Sequence, residues 1–192
     1  MQPLINACVF LFNFVISTYL YLLILRLLMQ KFRVSWYNPL SQLTIKFTDP
    51  VIMPFRRYVP AIGGFDGVII FWLIALQYLV LLSMFLVSGL EALSWMGIFI
   101  LSVGFSIQKI LNVYLVLIVA VAIMSWFLDV RSHPVGTVFQ AIVEPGLRLI
   151  QKRVPTMSGF DFSPIIVLVG IQIIKILIIT PWLAWGASMH AH

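Results

Sequence analysis

Three ionisable side chains stand inside long apolar stretches of the sequence, at Arg26, Lys109 and Lys175. A charged group is costly in hydrocarbon, so an ionisable residue in a membrane span is a candidate functional site. Arg26 stands near the end of its stretch, where we expect its side chain to snorkel to the lipid headgroups. Lys175 stands nearest to the middle of a stretch and shares a helix face with Gln172, which makes it a candidate site for an anion or a headgroup.

Two glutamines, Gln77 and Gln172, occupy corresponding places in two apolar stretches and should lie at equal depth in a membrane. Amide side chains that pair between membrane helices contribute roughly 0.6 kcal/mol on average. We therefore expect these two glutamines to support the contact between two parts of the chain. No Asp or Glu stands well inside an apolar stretch. This argues against an ion-coupled carrier, which usually needs a membrane carboxylate or an unwound segment.

Two basic pairs, Arg56-Arg57 and Lys152-Arg153, each precede a Val-Pro dipeptide. Beside an amphipathic helix at a membrane surface, each basic residue attracts anionic lipid by about 1 kcal/mol. One interpretation is that these cations only fix the orientation of the chain in the membrane. The other is that they bind anionic lipid or an acidic partner protein.

The remaining residues form no pattern typical of an enzyme. The single cysteine excludes an internal disulfide, and the histidines are His133, His190 and His192. There is no Gly-x-Ser-x-Gly elbow and no phosphate-binding loop. The net charge of +6 is not gathered into a dense basic face that would bind nucleic acid. We predict no catalytic residue, no cofactor, no metal site and no nucleic-acid partner.

The composition predicts an all-α membrane protein. Of the 192 residues, 62% are hydrophobic and 9% are charged, whereas soluble domains contain about 25% charged residues. A span needs about 20 mostly apolar residues, and backbone groups in lipid must pair within a helix. Four stretches qualify as transmembrane helices: residues 4–29, 68–90, 98–127 and 164–185. For the start of the third stretch, a separate re-entrant segment near 92–104 is an alternative.

The basic residues predict the orientation of these helices. Outside the four stretches, every Lys and Arg lies in loop 30–66 or loop 129–161. Because cytoplasmic loops carry an excess of Lys and Arg, we expect both loops to be cytoplasmic and both termini to be periplasmic.

The sequence repeats itself at an offset of 95 positions without a gap. We therefore expect two units, residues 1–95 and 96–192, each consisting of a helix, an amphipathic loop and a second helix. Because each unit contains two spans, both units should enter the membrane in the same direction. The identical pairs include Phe10 and Phe105, Tyr19 and Tyr114, Pro39 and Pro134, Pro50 and Pro145, Val59-Pro60 and Val154-Pro155, and Gly64-Phe65-Asp66 and Gly159-Phe160-Asp161.

Each loop contains the start of a short amphipathic helix. Asn38 can cap a helix that begins at Pro39, and His133-Pro134 marks the corresponding start in the second loop. In these helices, one set of apolar residues falls on one face. The sets are Leu40, Leu43 and Phe47 in the first loop, and Val135, Val138, Phe139 and Ile142 in the second.

Acidic residues mark further helix starts in both loops. Asp49-Pro50 and Glu144-Pro145 predict a second short helix in each loop, because an acidic residue favours the positive end of the helix dipole. Gly63-Gly64 permits a tight turn before the next span. We expect Asp66 and Asp161 to cap the helices that return into the membrane.

These motifs together resemble the signature of the YggT family, also called YlmG-like. The resemblance rests on Glu144-Pro145, Val154-Pro155 and Gly159-Phe160-Asp161-Phe162-Ser163-Pro164, with first-copy counterparts that include Asp49-Pro50 and Gly64-Phe65-Asp66. It covers nearly the whole chain and looks like the double-length proteobacterial form. The resemblance implies an inner-membrane protein without established catalytic chemistry. It also implies a link with osmotic-stress tolerance, and in cyanobacteria and plastids with division, nucleoid distribution and cytochrome b6 haem assembly.

Residues and resemblance together lead us to expect a non-enzymatic membrane protein for membrane organisation, assembly or osmotic-stress tolerance. Its basic loops would bind lipid, preferentially anionic lipid, or a partner membrane protein, and a homo-oligomer of the chain is a further expected partner. The alternative is a small oligomeric transporter or channel module for ions or osmolytes.

Overall fold

The computed structural model describes residues 2–61, 63–88, 94–127, 129–152 and 162–189, and these ranges contain helices and turns but no β-strand. Four of the helices are long, and short helices follow the first and third of these. In chain order the α-helices are α1 (Gln2–Lys31), α2 (Pro39–Ile52), α3 (Gly67–Ser88), α4 (Trp95–Phe127), α5 (Pro134–Gln151), α6 (Ser163–Ile174) and α7 (Thr180–Ala187).

The four predicted spans correspond to four helices that are long and apolar enough to cross a membrane. They are α1, α3, α4 and the continuous helix Ser163–Ala187, in which α6 and α7 are joined by a π-helical turn. The 33 residues of α4 extend over about 50 Å, more than the roughly 30 Å of a hydrocarbon core. Because α4 is continuous from Trp95, residues 95–104 form no separate re-entrant segment; positions 92 and 93 lie outside the described residues.

The main core lies where the loop helices meet the long helices. Fully buried side chains from α1, α3, α4 and α5 come together there, among them Ile24, Ile69, Ile118 and Ile142. We call this end of the bundle, which carries α2 and α5, the loop end. A smaller buried cluster of Leu81, Ile98 and Leu101 lies between α3 and α4 at the other end.

Both loop helices begin where the sequence predicts. The side chain of Asn38 accepts a hydrogen bond from the Leu40 N–H at 2.9 Å, and α2 starts at Pro39. His133 Nδ1 accepts from the Val135 N–H at 3.3 Å, and α5 starts at Pro134. Local capping chemistry therefore fixes the position of both helices in the loops.

The prediction of a second short helix at Asp49-Pro50 and at Glu144-Pro145 is wrong. Helix α2 continues through Pro50 to Ile52 and ends in a 3-10 turn, whereas α5 runs unbroken through Pro145 to Gln151. A proline inside a helix removes one N–H donor and crowds one carbonyl, and packing of the helix can offset this cost. Asp49 and Glu144 form ion pairs with arginines in place of a helix start.

Helix α2 turns its polar face inward. Its buried residues are Ser41, Thr44, Thr48 and Ile52. Leu43 and Phe47, which the sequence places on the apolar face, are 52% and 55% exposed. Helix α5 does the opposite and buries Val138, Ile142 and Val143.

The chain returns from α2 to α3 through a tight turn at two glycines. Gly63 and Gly64 have φ angles of 59° and 80°, which only glycine adopts without steric cost. The Lys31 Nζ lies 4.1 Å from the ring centroid of Phe65, which follows the turn. This turn brings Asp66 to the N-terminus of α3 at the loop end.

A π-helical turn, Lys175–Ile179, interrupts the fourth span. The Thr180 N–H donates to the Lys175 carbonyl five residues earlier, and the Thr180 hydroxyl also donates to it at 3.1 Å. Pro181 follows at once, and its ring would crowd a carbonyl in the preceding turn of a regular α-helix. The wider turn relieves this crowding at the place where Lys175 stands.

Candidate functional site

Arg26 is the charged centre of the first loop region. Its side chain is 3% exposed, so the expectation that it snorkels to the headgroups is wrong. Its Nη2 donates to Asp49 Oδ1 at 2.6 Å, and its Nη1 donates to the hydroxyl of Thr48. A buried charge must be paired and hydrogen-bonded, and α2 supplies both partners. We call the ion pair of Arg26 with Asp49, together with Thr48, the α1–α2 clamp.

A small cavity with mainly apolar walls lies beside this clamp. Arg26, Gln30, Ser41 and Thr44 are among its lining residues, and its volume is about 10 Å³, close to that of one water. Arg26 Nε, Gln30 Oε1 and Ser41 Oγ are buried and have no hydrogen-bond partner among the described residues. Buried polar atoms without protein partners are commonly bridged by water, and a cavity of this size holds one water at most.

The second loop region lacks this clamp. Val121 stands 95 positions after Arg26, and Val143 stands 95 positions after Thr48. Glu144, the counterpart of Asp49, pairs with Arg148 one turn later on the same helix, with an Oε1–Nη2 distance of 2.6 Å. The Arg148 side chain is 67% exposed, so this is a surface ion pair of small energetic value.

The predicted basic residues lie at the loop end. Arg56 is partly exposed, and its Nη2 donates to Asp66 Oδ2 at 2.9 Å. Arg57 and Lys152 are exposed, whereas Arg153 lies outside the described residues. Through this ion pair, Arg56 stabilises the turn before α3. Arg57 and Lys152 face outward.

Asp66 lies at the N-terminus of α3, where its two oxygens have different partners. Oδ1 accepts from the Val68 N–H at 3.1 Å, and Oδ2 accepts from Arg56. The Nε2 of Gln30 also lies 3.5 Å from Oδ2. Asp161, which stands 95 positions after Asp66, lies outside the described residues.

The outward side of α2 combines apolar and basic residues. Leu43, Lys46 and Phe47 are exposed and lie within one helical turn of each other. We call these three residues the α2 outer face. Trp36 and Tyr37, which precede α2, are 57% and 90% exposed. Such a surface is typical of helices that lie in the interface of a membrane.

The two loop helices are joined at their N-termini. Asn38 Nδ2 donates to the Pro134 carbonyl at 2.7 Å and lies 3.1 Å from the Thr137 hydroxyl. Since Asn38 Oδ1 also caps α2, one side chain both starts the first loop helix and binds it to the second.

The predicted polar residues of the spans do not form one cluster. Lys175 Nζ donates to Asn112 Oδ1 at 2.8 Å, between the fourth span and α4. Gln77 is buried, and its Oε1 has no hydrogen-bond partner among the described residues. Gln172 is exposed and lines an open, mainly apolar groove beside α4. Gln77 and Gln172 are therefore not hydrogen-bonded to each other.

The α1–α2 clamp and the π turn are the features that sequence reasoning missed. Ser41, Thr44 and Thr48 repeat at helical spacing next to Asp49, and this polar stripe is the signal for a buried cation nearby. Pro181 inside an apolar stretch is the signal for the irregular turn. In the described part of the chain, no three His, Cys, Asp or Glu side chains come together in an arrangement that could hold a metal ion.

Comparisons with known proteins agree with the resemblance seen in the motifs. The sequence model of the CCB3/YggT family matches residues 5–90 and 100–182. The chain is 35% identical to the protein YggT of Escherichia coli (strain K12) over 173 residues, which are 88% of each chain. It is 30% identical to protein PA0392 of Pseudomonas aeruginosa over 175 residues, 91% of this chain and 89% of the relative.

A third relative, from Vibrio alginolyticus, is described as a protein in the proC 3' region. It is 30% identical over 168 residues, which cover 87% of this chain and 90% of the relative. No solved structure matches the chain. Four apolar helices and a family match over most of the chain lead to one conclusion: this chain belongs to the CCB3/YggT family.

Proposed function

We propose that the chain is a non-enzymatic inner-membrane protein that organises or assembles membrane components and supports osmotic-stress tolerance. The long helices anchor it, and the loop helices α2 and α5 lie on the cytoplasmic surface. There they bind anionic lipid and a membrane-protein partner. The basic residues of loops 30–66 and 129–161 support this orientation.

The α2 outer face carries this proposal. Leu43 and Phe47 are more than half exposed because the opposite face of α2 packs against Arg26 of α1. An apolar helix face in water is costly, whereas at the headgroup boundary it gains free energy from burial in the membrane. Lys46 and Arg57 are exposed on the same loop and supply the attraction to anionic headgroups.

The proposal includes two units of the same design. The family model matches two segments whose starts, at positions 5 and 100, are separated by the same 95 positions as the identical motifs. Two spans in each unit give both units the same direction in the membrane. The hydrogen bonds of Asn38 to Pro134 and Thr137 are a direct contact between the loops of these units.

Lipid retention tests the proposed role of α2. We would purify the full chain in nanodiscs of mixed phosphatidylglycerol and phosphatidylcholine and measure bound lipid by native mass spectrometry. The Leu43→Ser/Phe47→Ser variant should retain less lipid than the wild type, because it removes the apolar contact. The matched control is Gln42→Ser, which changes an exposed polar residue next to Leu43 and leaves both apolar side chains in place. Equal retention by all three proteins would contradict the proposal.

Lys175 supports a second candidate function, a transporter or channel module. A π turn in the fourth span places this lysine against Asn112, and π turns are frequent at functional sites. Ion flux into proteoliposomes distinguishes the two candidates. Flux that is lost in Lys175→Met would favour transport, whereas absence of flux in the wild type favours the organising role.

A further inference from the structure

A cleft lies between α4 and α5 at the loop end. Its volume is about 210 Å³, far larger than the roughly 10–15 Å³ that one water requires, so it can hold a ligand of several heavy atoms. No Lys or Arg stands among the lining residues, although Arg148 contacts one of them. The lining residues are Val121, Gln140, Val143, Glu144, Leu147 and Gln151. We call this the α5 cleft.

Two side chains of the α5 cleft, Gln140 and Glu144, offer hydrogen-bond acceptors. Gln140 Oε1 is buried and has no partner among the described residues. Glu144 receives both bonds of Arg148 on Oε1, at 3.1 and 2.6 Å, and its Oε2 makes no hydrogen bond within the described part of the chain. A carboxylate and an amide oxygen between apolar walls favour a cationic ligand that carries several N–H donors.

In the first loop region, the acidic residue that corresponds to Glu144 is paired with a guanidinium group. There, the guanidinium of Arg26 reaches from α1 to Asp49 on α2. In the second region the positions 95 residues later are Val121 and Glu144, so the chain keeps the acid and lacks the guanidinium. This comparison rests on the proposed two-unit organisation, whereas the cleft and its acceptors do not.

We propose that the α5 cleft binds an organic cation with a guanidinium or primary ammonium group. The ligand donates hydrogen bonds to Glu144 and Gln140, and its carbon chain contacts Val121, Val143 and Leu147. A planar guanidinium matches a carboxylate best because it offers paired donors in a fixed geometry. Two sources can supply this chemistry at a membrane surface: a free solute, or the headgroup of an amine-bearing phospholipid.

Binding of a simple water-soluble probe tests whether the ligand is a free solute. The full chain in phosphatidylcholine nanodiscs is titrated with methylguanidinium and methylammonium, and saturation is followed by ligand-observed NMR. Glu144→Gln should weaken binding at least tenfold, because it removes the charge that the ligand faces. Val121→Arg should abolish binding, because it supplies from α4 the cation that Arg26 supplies from α1. Arg148→Gln is the matched control and should bind at least as tightly as the wild type, since its loss leaves Glu144 unpaired.

Lipid selectivity tests whether the ligand is the headgroup of an amine-bearing phospholipid. In nanodiscs of mixed phosphatidylethanolamine and phosphatidylcholine, the wild type should retain the ethanolamine lipid selectively, and Val121→Arg should not. Saturable binding of the probe with no lipid selectivity identifies a free solute, and selectivity alone identifies the lipid headgroup. Absence of both, or binding that is unchanged in Glu144→Gln and Val121→Arg, would overturn the proposal. The α2 outer face is unaltered in these variants, so this failure is distinct from a failure of the proposed function.

Discussion

The two loop helices, α2 and α5, pack on the bundle through faces of opposite polarity, although their residues occupy corresponding sequence positions. Helix α2 binds the buried Arg26 through the Thr48 hydroxyl and the Asp49 carboxylate, and its apolar side faces outward. Helix α5 buries valine and isoleucine and pairs Glu144 with Arg148 on its own surface. The loop helix that contacts a buried cation packs on the bundle through its polar face, and the loop helix without such a cation packs through its apolar face. Where the cation is absent, the apolar face packs inward and a cleft remains beside the acid.

The largest expected difference between the regions concerns the two acids. Asp49→Asn leaves Arg26 buried without a negative partner, and loss of one member of a buried ion pair costs roughly 3–5 kcal/mol. Glu144→Gln removes only a surface pair and should cost less than about 1 kcal/mol. Thermal unfolding of both variants in detergent, followed by circular dichroism, measures the difference. Equal losses of stability would show that Arg26 is not held by Asp49.

A second contrast concerns the apolar residues of the two helices. Ile142 is 0% exposed, and Ile142→Ala should destabilise the protein by about 3 kcal/mol through lost contacts and the cavity that remains. Leu43→Ala removes an exposed side chain and should change the free energy of unfolding by less than about 0.5 kcal/mol. Both values come from chemical denaturation of the purified protein. A large loss in Leu43→Ala would mean that α2 packs on the bundle through its apolar face.

A smaller effect is expected at the junction of the two loops. Asn38→Ala removes a helix cap and the hydrogen bond to the Pro134 carbonyl, which together should cost about 1–2 kcal/mol. His133→Ala removes only the cap of α5 and should cost about half as much. The same unfolding measurement compares them. If His133→Ala is the more damaging variant, Asn38 does not join the loops.

The smallest expected effect on stability concerns the exposed cations. Lys46→Gln/Arg57→Gln should weaken binding to anionic nanodiscs by about 1 kcal/mol per residue, with little change in stability. Arg56→Gln is the contrast, because Arg56 already pairs with Asp66 and should lower stability more than lipid binding. Lipid retention by native mass spectrometry, read beside the melting temperature, separates the two effects. High salt should weaken the lipid binding of the wild type.

Local chemistry explains which parts of the fold could be predicted from the sequence. The starts of α2 and α5 depend on Asn38-Pro39 and His133-Pro134, and the long helices depend on runs of apolar residues. The continuation of α5 through Pro145 could not be predicted, because packing against α4 overrides the local effect of proline. Tyr114 on α4 donates to the Val143 carbonyl at 3.3 Å as part of this packing.

The candidate sites depend on contacts between distant parts of the chain. Arg26 and Asp49 are 23 residues apart, and apolar patterning alone favours the opposite orientation of α2. The stripe of Ser41, Thr44 and Thr48 becomes informative only when a buried cation is expected beside it. The α5 cleft has no sequence motif, because it arises from the space that Val121 leaves between two helices.

The depth of α2 in the membrane is the most direct test of its inverted orientation. In a Cys8→Ser background, a nitroxide label at position 43 or 47 reports contact with lipid through its relaxation by oxygen and by a water-soluble nickel complex. We predict that oxygen relaxes both labels while the nickel complex does not reach them, as expected for contact with lipid at the headgroup boundary, whereas the nickel complex reaches a label at position 42. Equal access of the nickel complex to all three positions would contradict the account, because the apolar side of α2 would then face water.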